Sequence, residues 1–168
     1  KGMEVNLFFR KLKRKKVAEQ VMDSLWPYFG IVQASTGLTP ERFAQDQYIL
    51  GFVTGAAGYV ARAASNDKLQ TRDIGLVTFD VIDRLLGIEG RESANRLMQL
   101  LKTEGAPDYQ LGITNGHKTI LAGLGAVGEM QEDPDVQAAI AEGGEEDAPV
   151  LLQQWLFHDY VEKAYGTE

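Results

Sequence analysis

Residues 48–65 read YILGFVTGAAGYVARAAS, and the fold turns on whether this stretch is a strand, a membrane span or a helix. Gly51, Gly55, Gly58 and Arg62 fall at i, i+4, i+7 and i+11, the repeat of one helix face and not the alternation of a strand. The apolar run stops at Arg62, short of the roughly 18 residues that a bilayer-spanning helix needs. A glycine in a helix interior costs about 1 kcal/mol against alanine, so several in one helix call for a compensating contact. Small residues let two backbones approach closely, and the spacing predicts a helix crossing at a bare stripe. Gly116, Thr119, Gly123 and Ala126 form a second such stripe, and the two helices are expected to pack on each other. The alternative is that the stripes border an open cleft for a ligand or a partner helix.

Outward from this stretch, apolar residues keep returning at helical spacing. Val17, Val21, Leu25 and Phe29 mark a first helix, which Pro27 is expected to kink or end near Trp26. Thr39-Pro40-Glu41 offers a capping hydroxyl, a first-turn proline and an early carboxylate, so the central helix is predicted from there to about Ala64, with Ser65-Asn66-Asp67 as its exit. Ile74, Val77, Val81, Ile82 and Leu85 predict a third helix, with Asp80 and Arg84 paired at i,i+4. Residues 91–102 predict a fourth, with Ala94, Leu97, Met98 and Leu101 inward, and Gly87, Gly90 and Gly105 as its punctuation. Pro107 and the glycines near it make 105–117 read as loop. A fifth helix is expected over about 115–130 and a short sixth from Asp133-Pro134 to Gly143-Gly144. The last starts at Asp147-Ala148-Pro149 and carries Leu152, Trp155, Leu156 and Tyr160 on one side.

No segment alternates with period two, and nothing repeats at solenoid length. The expected architecture is all-α: a single compact bundle of about six or seven helices, its two glycine-striped helices packed closely. Residues 1–16 form a basic amphipathic arm and 17–168 a single helical domain.

Charge and composition restrict the chemistry. The chain has no cysteine, which excludes disulfides, thiol nucleophiles and Cys-based zinc or iron–sulfur sites. Residues 1–16 hold seven Lys/Arg against one Glu, net +6, and the other 152 residues carry net −13. So acidic a body repels phosphate backbones, and nucleic acid is not an expected partner. Phe8-Phe9 precede the basic cluster instead of following it, so no secretory signal is read and a cytoplasmic location is expected.

The motifs that come near known chemistry each fail on context. GLGAVG, 123–128, matches the dinucleotide glycine spacing, but Pro134 falls where its helix should run and only 40 residues follow. GITNGHKT, 112–119, puts His117 where a phosphate loop needs its second glycine. LLGIEGRESANRLMQLLK, 85–102, resembles a helix-turn-helix with Arg91, Asn95, Gln99 and Lys102 outward, yet Ala94 and Leu97 sit one residue late. Neither histidine has a partner at metal-ligand spacing, and His158 is expected to meet Glu162 at i,i+4. Eight carboxylates within 129–147 lack the glycine and terminal glutamate of a calcium loop. No catalytic group, metal or cofactor is expected.

Two functional readings follow. The first is a non-enzymatic helical protein-interaction module using the arm NLFFRKLKRKK, 6–16, through Phe8, Phe9, Arg10, Lys11, Lys13, Arg14, Lys15 and Lys16. Its partner is an acidic protein surface, another copy's 129–147 segment included, which would make a homo-oligomer. An anionic membrane's inner face is the other surface that such an arm suits. The plain counter-reading makes the arm a solvated helix end. The second functional reading is a small-molecule-binding protein or enzyme with a cleft beside the glycine stripes, lined by Tyr48, Tyr59, Arg62, Asn115, His117 and Lys118.

Overall fold

A computed structural model describes residues 2–36, 42, 45–66, 68–85, 92–102 and 106–166, which contain helices and no strand. The helices are α1 (Gly2–Thr36), α2 (Gln47–Ser65), α3 (Thr71–Leu85), α4 (Glu92–Lys102), α5 (Pro107–Gly123), α6 (Pro134–Gln153) and α7 (Asp159–Tyr165). A 3-10 turn, Val127–Met130, precedes α6, and a π-helical segment, Gln154–His158, joins α6 to α7. They pack as an all-α bundle around α2, which meets α1, α3 and α5. None of the described helices is long and apolar enough to cross a membrane.

The two glycine-striped helices meet backbone to backbone. A Cβ added at Gly51 would strike the Tyr109 carbonyl, and one at Gly55 would lie 2.9 Å from Ile113 Cα. From the other side, a Cβ at Gly112 would lie 2.8 Å from the Phe52 amide nitrogen, and one at Gly116 would strike the Phe52 carbonyl. On α5 the contact therefore uses Gly112 and Gly116, one turn apart. Gly123 is exposed and Ala126 lies beyond the helix. At Gly51, Gly55, Gly112 and Gly116 the stripes close on each other.

The main core gathers Val21, Leu25, Ile49, Phe52, Val81 and Phe157 from four elements. Phe157 stacks on Phe52 at 4.7 Å and meets Phe29 edge-on at 5.1 Å, so the C-terminal helices share the core of α1 and α2. A smaller core, including Val127, Val136 and Leu152, lies under α6.

Several boundaries differ from the sequence expectation. α1 passes through Pro27 and continues to Thr36. A mid-helix proline costs about 3 kcal/mol, and here burial of Phe29 beyond it offsets that cost. α2 is capped by Asp46, whose side chain accepts from the Ile49 amide at 2.9 Å, and Thr39-Pro40-Glu41 lies outside the described residues. Its exit is the expected one: Asn66 adopts the left-handed conformation, with φ 49°. Asp80 and Arg84 pair at 3.5 Å as expected. Met98 is 54% exposed and does not face inward, while Gly87, Gly90 and Gly105 lie outside the described residues.

Residues 107–117 are helix, not loop, because Pro107 occupies the first turn, where its missing N–H costs nothing. α5 then ends at Gly123, and the next glycine, Gly125, turns the chain at φ 85°. The break foreseen at Gly143-Gly144 is present as a non-helical Gly144, φ 78° and ψ 175°. Helix resumes directly, with Pro149 inside it.

Candidate functional site

The basic run from Arg10 to Lys16 belongs to the same helix whose next turn buries Val17, Ala18 and Val21. The core therefore anchors α1 and fixes the direction in which its cationic turns point. Lys11, Leu12, Lys13, Lys15 and Lys16 are exposed. Arg14 turns inward, its guanidinium 3.6 Å from the buried Asp73 carboxylate. Phe8, Phe9 and Arg10 share the α1 backbone, and their side chains lie outside the described residues.

Along this part of α1 runs a groove of about 450 Å³ shared with α3. Its floor is Leu12, Ala18, Leu76 and Val77, and its rim carries Lys11, Arg14, Lys15 and Arg84 against one carboxylate, Asp80. Two leucines in this groove stay wet, Leu12 at 48% and Leu76 at 42% exposure. Arg84 is engaged by Asp80 and Arg14 by Asp73. Lys11 and Lys15, one turn apart, make no ion pair among the described residues. Like charges at i,i+4 repel, so this wall holds an excess of positive potential.

A second region lies where α2, α5 and the π segment meet. The Tyr48 hydroxyl donates to the Leu156 carbonyl at 2.5 Å and accepts from Asn115 Nδ2 at 3.0 Å. Its ring lies 4.0 Å from that of Tyr160. Tyr160 and Tyr165 both donate to the Asp46 carboxylate, at 3.0 Å and 2.5 Å. Burial, with Asp46 beside them, pushes both phenols far above the usual tyrosine range, so they act as donors at any physiological pH. A shallow cleft of about 310 Å³ runs past Tyr48, Asn115, Trp155 and Tyr160. The hydroxyls of both its tyrosines are already spent on internal bonds.

The six residues expected to line one cleft divide among separate places. Tyr48 and Asn115 come together in the hydrogen-bonded cluster. Tyr59 and His117 stack on each other at 4.7 Å elsewhere along the α2–α5 pair. Arg62 is exposed in the last turn of α2. Lys118 is buried and holds the start of α6, its Nζ 2.8 Å from Asp133 and 2.6 Å from Asp135. Burial alone would lower the Lys118 pKa, but the two carboxylates outweigh it and the value is raised. Asp133 also caps α6, accepting from the amides of Asp135 and Val136, and its pKa falls although burial opposes that. His158 bonds with Gln153 at 3.2 Å instead of Glu162.

The sequence reading passed over the α3 side of the groove and the Asp46 cluster. Leu76 gave a signal: it stands in the row Arg72, Leu76, Asp80, whose members are all exposed. A single wet leucine is ordinary, and this one gains meaning only beside exposed Leu12 across the groove. Asp46 gave little signal, because its tyrosine partners lie 114 and 119 positions away. No family model matches this chain, and no curated protein or solved structure does either.

Proposed function

We propose that the chain is a non-enzymatic helical docking module that settles on an anionic membrane surface through its α1–α3 face. The observation that carries this reading is the coincidence, on one face, of exposed Leu12 and Leu76 with Lys11 and Lys15, which make no ion pair among the described residues. Magnitudes say why both kinds of residue are needed. Lys11, Lys13, Lys15 and Lys16 contribute about 1 kcal/mol each near an anionic surface, which alone supports only ~1 mM affinity. Two half-exposed leucines add roughly 1 kcal/mol each on insertion, moving the affinity toward tens of micromolar.

Co-sedimentation with phosphatidylserine vesicles, at low and high salt, tests this. Binding should weaken with salt, fail on phosphatidylcholine, and be lost when Arg10, Lys11, Lys13, Arg14, Lys15 and Lys16 become glutamine. The double variant Leu12→Ser/Leu76→Ser should lose most of it as well. Absence of binding by the native chain would overturn the reading. Exposed Glu145, Glu146 and Asp147 on α6 support a second reading, in which the same face meets an acidic protein, another copy included. That reading predicts salt-sensitive association without lipid and indifference to the leucine changes.

A further inference from the structure

We infer that the α1–α3 groove is a binding site for a single-chain amphiphile with an anionic head, a carboxylate or a phosphate ester. The inference rests on the docking reading of this face and goes further, because a flat membrane surface needs no concavity. The groove is concave, has an apolar floor, and has the volume of a small-ligand site. Leu12, Ala18, Leu76 and Val77 offer a strip along which an alkyl chain loses its contact with water. The methylene stems of Lys11, Lys15 and Arg84 extend that strip up the walls while their charges stay in solvent.

Charge bookkeeping along the rim places the head. Asp80 is answered by Arg84 and Asp73 by Arg14, so these four groups are mutually satisfied. Among the described residues Lys11 and Lys15 are the rim cations with no ion pair, and an anion between them relieves their repulsion and gains two charge-assisted hydrogen bonds. A cationic amphiphile would meet the same repulsion unrelieved, and a neutral one would gain only the floor.

Titration calorimetry on the whole chain tests the assignment, with probes kept monomeric. Dodecanoate and dodecyl phosphate should bind saturably, one per chain. Dodecyltrimethylammonium and inorganic phosphate should bind at least about ten-fold more weakly. Lys11→Gln/Lys15→Gln should cost the anionic probes about ten-fold and leave a neutral dodecyl maltoside unchanged. Leu76→Asp, at an exposed position, should abolish binding with an unchanged circular dichroism spectrum. Equal affinity for the cationic probe, or indifference to Leu76→Asp, would overturn the inference. Vesicle binding that persists without monomer binding would sink the groove site and leave the docking reading standing. Monomer binding without vesicle binding would do the reverse.

Discussion

His158 is half-buried against Gln153, and burial depresses its pKa below 6.5 even though Glu162 and Asp159 pull it upward. The folded chain therefore takes up this proton less readily than the unfolded one. Stability from the neutral ring is fully present above about 6.5 and is lost as pH falls from there through the depressed folded value. His158→Gln removes the proton and should flatten this dependence. Urea midpoints at about pH 5.5 and 7.5 should differ more for the native chain than for the variant, and an unchanged difference would exclude His158 as the source. Lys118 shows how far a side chain's partners can lie from its sequence neighbours. A lysine beside a histidine and an asparagine looks like ligand chemistry, but Asp133 and Asp135, 15 and 17 positions on, had already claimed it.

Gly51 and Gly55 on α2 carry the prediction that belongs to the element scale. Alanine in a helix interior is normally better than glycine by about 1 kcal/mol. At these two positions its methyl group would meet the Tyr109 carbonyl and the Ile113 backbone, neither of which can rotate away. Gly51→Ala and Gly55→Ala should each destabilise by about 2–4 kcal/mol. Gly58→Ala, 3.9 Å from the nearest atom, and Gly75→Ala, with nothing within 4 Å, should be neutral or stabilise by up to about 1 kcal/mol. Denaturant melts of the four variants separate the cases, and equal effects would refute the close crossing. The existence of that crossing was legible at Gly51 and Gly55. Its other half was not, because Pro107 was read as a breaker when it was a first-turn proline, which hid Gly112 in a supposed loop. The same local ambiguity misled at Pro27, although the apolar stripe runs past it to Phe29, whose burial holds the helix on course.

On the scale of the whole molecule, Asp46 ties the end of the chain to its middle. It caps α2 and takes the hydroxyls of Tyr160 and Tyr165. Asp46→Ala should cost about 2–4 kcal/mol, from a lost cap and two lost bonds to a charged acceptor. The α7 amides should then exchange faster with solvent, whereas Asp46→Asn, which still caps and still accepts, should keep most of the protection. A loss of stability with α7 protection unchanged would exclude the tie. Charge on this scale was legible from composition: the basic run is confined to one end of α1, and two of its exposed lysines, Lys11 and Lys15, line the groove. The π segment at 154–158 imposes a further condition on the whole chain. It is a wider turn than the regular helix on either side, and its wider winding sets the rotation of every residue beyond it. Were the same five residues wound at regular pitch instead, the last helix would swing by about 90°. Tyr160 and Tyr165 would turn away from Asp46, although no residue in any contact had been changed. Losing one codon within 154–158 is therefore the length change this region absorbs, because four residues at regular pitch turn the chain about as far as five at π pitch and leave the last helix facing Asp46.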